Sequence, residues 1–202
     1  MALPDEITND KIAAISEQLG KMSSQEIGAL PDLEGTDLRC FGRLIQSFCF
    51  VDLNLRSAIE VFELAGKLPN KWKKDYPKIN DAALTEVLAD SVRTLDPNCE
   101  PIEETLTWLS AISKFRSFRN LAGHAAAKRY PNENVFIFAN KNSGDAKRAG
   151  QSLPKHGFMF SVVARAEFFD MVQAAVDSQK WLSEKLTKWA AAYPATNAVA
   201  AG

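Results

Sequence analysis

The chain has 202 residues, of which 46% are hydrophobic and 24% charged, and its formal net charge is −1. That is enough apolar chain for a real core and fits one ordinary globular domain, with no Gly/Ser- or Pro-rich linker in the middle. The near-zero net charge argues against a protein that coats nucleic acid indiscriminately.

Met1–Asp10 holds three acids and no basic run, so no signal peptide is expected. The most apolar stretch, Phe48–Leu55, is interrupted by Asp52 and Asn54 and is too short to span a bilayer. Cys40, Cys49 and Cys99 are an odd set without C-x-x-C spacing, which argues against a disulfide framework or a zinc site. A reducing cytoplasmic location without membrane association is the expectation.

In chain order, residues 5–20 carry Ile7, Ile12, Ile15 and Leu19 at helical spacing and end at Gly20. Met22–Gly35 reads as a connector, and Thr36 or Asp37 can cap a long helix to about Leu64. Its middle, Phe48-Cys49-Phe50-Val51, is apolar on every side, while Asp52, Arg56 and Glu60 follow one another at i+4 as a charged ladder. Gly66 and Pro69 stop this helix. Lys71-Trp72-Lys73-Lys74 then reads as an exposed loop, in which a tryptophan tucked under solvated lysines is favoured over a base-stacking platform.

Asn80 or Asp81 opens a third helix on Leu84, Val87, Leu88, Val92 and Leu95, and Pro97-Asn98 turn the chain. Pro101, with Glu103 and Glu104 behind it, suits the first turn of the next helix, whose apolar face runs from Ile102 through Phe115. The small residues Ala122, Gly123, Ala125, Ala126 and Ala127 read as a helix continuing to Pro131 and open to close approach by another helix. Val135–Phe138 and Phe158–Val162 are β-prone and predict a hairpin over about 134–163, with a mobile basic tip holding Lys141, Lys147, Arg148, Lys155 and His156. A last helix covers about Ala164–Ala191 with a Glu184–Lys188 pair outward, and residues 192–202 read as a disordered tail. The fold class is therefore mainly α, an up-and-down bundle over 37–191 with a small β-hairpin insertion, and residues 1–36 packed on the bundle.

The chemistry gathers at Arg119-Asn120-Leu121-Ala122-Gly123-His124, which holds one of the two histidines. Arginine offers phosphate oxygens a planar, permanently charged fork, and histidine can take and give a proton near neutrality. Asn120 lies at i to i+4 from His124 and can hydrogen-bond it. Arg119 and His124, at i to i+5, diverge by roughly 140° around a straight helix, so one helix cannot direct both at one phosphate. A bend or a second copy of the chain is required.

From Lys114 to Lys155 the segment carries nine basic residues and two acids, +7, which leaves −8 for the remainder. Such asymmetry suggests a local phosphate-binding face, with Arg116, Lys128, Arg129, Lys147 and Arg148 as substrate contacts. The competing reading is a solvated face neutralised in cis by the acidic remainder.

R-N-x-x-x-H after a helix-rich region resembles the signature of the HEPN superfamily, an arginine and a histidine four to six residues apart with a polar residue after the arginine. The likeness extends over about residues 37–190. It implies a helical bundle, with Arg119, Asn120 and His124 as catalytic positions in a cleft shared by a homodimer. It also implies metal-independent endoribonuclease activity without a cofactor, in which the 2′-hydroxyl of RNA attacks to leave a 2′,3′-cyclic phosphate. The implied setting is a toxin or phage-defence effector. The absence of an acidic cluster suited to two metal ions agrees with that chemistry. Two alternatives stand beside it. One is a non-catalytic HEPN module binding a nucleotide, RNA or a partner such as a nucleotidyltransferase antitoxin. The other is a purely structural motif, with Arg119 paired to an acid and His124 satisfied and half-buried.

Overall fold

The computed structural model describes residues 9–97, 100–140 and 159–195. Within them the protein is mainly helical, with a small antiparallel sheet. The elements are α1 (Asn9–Lys21), α2 (Ser24–Gly28), α3 (Gly35–Leu64), α4 (Asn70–Lys73), a short 3-10 turn (Asp81–Ala83), α5 (Leu84–Val92), α6 (Ile102–His124), β1 (Ala126–Arg129), β2 (Val135–Asn140), β3 (Met159–Ala164) and α7 (Arg165–Ala192). No helix among the described residues is long and apolar enough to cross a membrane.

The chain forms two compact units rather than one. The first comprises Met1–Ile45 and Phe118–Val172, the second Gln46–Ser117 and Gln173–Gly202. The boundaries fall inside α3, α6 and α7, which is why no linker composition marks them.

In the first unit β2 is the middle strand of the order β1-β2-β3, in register Ala126↔Ala139 on one side and Val135↔Ala164 on the other. All six of its residues are buried, and period-two alternation divides them between two faces. Val135, Ile137 and Ala139 pack with Ile15 and Leu19 of α1 and with Ile27 and Leu30. Phe136 and Phe138 join Phe41, Phe118 and Phe168 in an aromatic cluster; Phe41 and Phe168 stack at 4.3 Å. A strand covered on both faces reads as an unbroken apolar run, the pattern Val135–Phe138 shows. The N-terminal segment thus packs on the sheet, where the sequence suggested a bundle.

Two expectations change here. The Met22–Gly35 connector contains α2, whose capping box joins the Ser23 hydroxyl to the Glu26 amide and the Glu26 carboxylate to the Ser23 amide. The alanine run does not stay helical to Pro131: α6 ends at His124, and 126–129 become a third strand beside the expected hairpin pair. Ladder pairing with β2, and a hydrogen bond from the Arg129 amide to the Pro31 carbonyl (2.9 Å), outweigh the helix preference of alanine. The connection from 141 to 158, the expected tip, lies outside the described residues, as do residues 5–8, Asn98, Cys99 and 196–202 of the expected tail.

Asp37 sits in the first turn of α3, is fully buried, and accepts from the Glu34 amide (3.1 Å) and from Arg165 Nη2 (2.9 Å). It therefore acts at the helix N-terminus as expected, but from inside the first turn.

The second unit has a separate core that includes Phe48, Val51, Leu55, Phe62, Leu88, Ile112, Leu182 and Trp189. Trp108 and Trp181 stack at 5.2 Å, and Phe62 meets Trp189 at 5.3 Å. Glu100 is buried with Lys185 (2.6 Å), Thr105 (2.7 Å) and Trp189 Nε1 (3.1 Å), so its carboxylate is fully engaged. Burial opposes its ionisation, but those three hydrogen bonds and the Lys185 charge together hold its pKa below the ordinary glutamate value. The expected charged ladder is replaced by longer-range pairs: Asp52 with Arg116, and Arg56 with Asp81 (2.5 Å) and the Ile79 carbonyl (3.2 Å). Cys40 in the first unit and Cys49 in the second are free thiols.

Candidate active site

Arg119, Asn120 and His124 occupy the last turns of α6, which runs as α-helix without interruption to His124. Arg119 is half-buried, whereas Asn120 and His124 are exposed. The Arg119 Nη1 donates to Asn120 Oδ1 (3.1 Å), and its Nε is buried without a partner. Asn120 thus steadies the arginine, not the histidine as its spacing suggested. Among the described residues His124 has no hydrogen-bond partner and Arg119 no carboxylate. The position of His124 as the terminal helical residue explains its exposure, since the chain turns away at Ala125 into β1.

Gly123 is exposed, and a Cβ built there would meet only Ile45 Cδ1, at 3.6 Å. That is ordinary contact, so within one chain nothing requires glycine. The splay of Arg119 and His124 on an unbroken helix persists.

The proposed substrate contacts fare differently. Arg116 donates to Asp52, and the two side chains are only 11% and 23% exposed, with Arg116 Nε and Nη1 buried and unpartnered. Lys128 pairs with Asp32 (2.7 Å) and with the Gly28 carbonyl (3.0 Å). Arg129 pairs with Glu34 and lies 3.6 Å from Asp37. All three are paired with carboxylates of the same chain, as the competing reading of the basic segment had it: Arg116 through Asp52, and Lys128 and Arg129 because the fold brings residues 32–37 against β1. Lys147 and Arg148 lie outside the described residues, with Lys141, Lys155 and His156. Among the described residues, no group of three His, Cys, Asp or Glu side chains is placed to hold a metal ion.

Compared with protein-family models, with curated proteins and with solved structures, the chain matches none of them.

Proposed function

We propose that this protein is a HEPN-type, metal-independent endoribonuclease, with Arg119 and His124 as its acting groups and Asn120 positioning the arginine. The observation that carries the reading is the state of the motif itself. A structural role would pair Arg119 with an acid and satisfy His124. Instead Arg119 bonds only Asn120, and His124 stands exposed and unbonded among the described residues.

In the proposed reaction, His124 takes the proton of the 2′-hydroxyl as that oxygen attacks the adjacent phosphorus. The P–O5′ bond breaks, a 2′,3′-cyclic phosphate remains, and the departing 5′-oxygen receives a proton. Arg119 neutralises the additional charge that gathers on the phosphate oxygens in the transition state. The base and the acid then come from the two copies of His124 in a homodimer, which also answers the roughly 140° divergence along one helix. Cytoplasmic action as a toxin or defence effector, restrained by an antitoxin or effector partner, belongs to the same proposal.

The test is cleavage of total and transfer RNA by purified protein in excess chelator, followed by mapping of the new ends. Cyclic-phosphate ends produced by wild type and not by His124→Ala are the expected outcome. Activity that vanishes with chelation, or that His124→Ala retains in full, would reject it.

A further inference from the structure

We infer that a cavity of about 380 Å³ in the second unit, between the residues that open α6 and the C-terminal half of α7, binds a free amino acid with an apolar side chain. Pro101 and Glu104 line one side, and Trp181, Glu184, Lys185 and Trp189 the other. The volume is that of a small-molecule pocket, of order 300–1,000 Å³. The cavity lies wholly in the second unit and none of its residues belongs to the Arg119/His124 motif, so the inference does not rest on the nuclease proposal.

Its buried donors set this cavity apart. Lys185 is 7% exposed, the one buried lysine or arginine among the described residues. Taking an ammonium out of water is costly, and Lys185 has three N–H donors to satisfy. Among the described residues it has one acceptor, Glu100 Oε1 at 2.6 Å. The Trp181 indole N–H, on the same wall, is buried without any acceptor. Glu100 cannot serve both, since its Oε1 already receives Thr105 and Lys185 and its Oε2 receives Trp189 Nε1. Buried donors left unmade are expensive, so an acceptor belongs in this space.

The exposed side of the cavity has the opposite character. Glu104 and Glu184 are exposed and, among the described residues, neither meets a cation; the expected Glu184–Lys188 pair does not form. Lys188 is on the same wall and exposed, so the cavity sets three carboxylates against two ammonium groups. Between the buried donors and these acids lie apolar surfaces from Trp181, Trp189, Pro101 and Ala192. Both rings are held: Trp181 stacks on Trp108, which is outside the cavity, at 5.2 Å and 12°, and Trp189 donates to Glu100 at 3.1 Å.

A plain carboxylic acid would satisfy the donors but add a negative charge to a wall that is already net negative. A plain amine would suit Glu104 and Glu184 but leave the buried donors unmade. An amino acid answers both, with its carboxylate toward Lys185 and Trp181, its hydrocarbon body on the rings and its ammonium at the two exposed glutamates.

The full chain is titrated by calorimetry with L-phenylalanine, L-leucine, 3-phenylpropionate, which lacks the ammonium, and 2-phenylethylamine, which lacks the carboxylate. At least one amino acid is expected to bind saturably, about tenfold or more tightly than either half-molecule, because each half forfeits one charge-assisted contact. Trp181→Phe keeps a ring on Trp108 but removes the indole N–H. It should weaken the amino acid about tenfold and leave 2-phenylethylamine, which offers no acceptor, unchanged. Glu104→Gln with Glu184→Gln should weaken the amino acid by a similar factor and leave 3-phenylpropionate no weaker. Glu103→Gln, on the same turn of α6 but outside the cavity, should change nothing. Absence of saturable binding by both amino acids would assign the space to water alone and overturn the inference. A half-molecule binding as tightly as the amino acid, unchanged affinity in Trp181→Phe or the double glutamine variant, or an equal loss in Glu103→Gln would overturn it as well.

Discussion

Lys128 and Arg129 on β1 and Lys74 and Lys78 beside α4 carry the same charges, but only the first pair meets carboxylates. The first pair belongs to a segment whose composition is strongly basic; of the second, Lys74 ends the short Lys71–Lys74 run that reads as solvated cover for a tryptophan, and Lys78 lies just beyond it. The fold reverses their prospects, because residues 32–37 deliver three acids to β1 and nothing among the described residues delivers one to Lys74 or Lys78. The same contrast recurs along α6, where Arg116 is neutralised by Asp52 and Arg119 is held only by a neutral amide. Paired cations should therefore behave as stability residues, and unpaired ones as function residues.

The sharpest way to break that division is at the motif. Arg119→Ala should lower RNA cleavage by roughly 10²–10⁴-fold, as should His124→Ala, with the melting temperature nearly unchanged. Mixed Arg119→Ala and His124→Ala proteins, with subunit exchange verified by mass, should recover part of the cleavage, because a heterodimer keeps one arginine and one histidine from opposite chains. A mixture that exchanges but stays inactive rejects the shared cleft.

Asp52→Asn should do the opposite. It leaves the Arg116 guanidinium largely buried without a counter-charge, at a cost of about 3 kcal/mol read by urea unfolding, while cleavage per folded molecule stays near wild type. Loss of cleavage without loss of stability would place Asp52 and Arg116 in the function class.

Glu100 gives the pH counterpart. Its folded pKa is depressed, so its contribution is fully present above the unfolded value of 4.5 and is lost as pH falls through the folded value. Melting measured from neutral pH downward should show wild type well above Glu100→Gln at pH 7, with the gap narrowing only below pH 4.5. A gap independent of pH would contradict the charged Glu100–Lys185 pair.

The smallest expected effect is at Gly123, where alanine fits at ordinary contact: Gly123→Ala should stabilise the folded chain by about 0.5–1 kcal/mol. If cleavage falls while stability rises, the glycine serves the approach of a second copy.

Much of the helical framework was legible in the sequence because it rests on local rules. The 3.6 period around Leu44 and Phe48 placed α3 to within a few residues, and Pro101 ahead of two glutamates placed the start of α6. R-N-x-x-x-H likewise stood out as a spacing of chemically apt residues. Four features were decided only by the tertiary structure. The run Ala126–Arg129 became a strand because β2 offered it a ladder, which helix propensity cannot anticipate. Asn120 turned to Arg119 although helical spacing allows the histidine equally well. The Glu100–Lys185 and Asp52–Arg116 pairs join residues 85 and 64 apart. Periodicity reports which face of an element avoids water, whereas the partner of a charge depends on which distant segment packs against it, and that is a property of the fold alone.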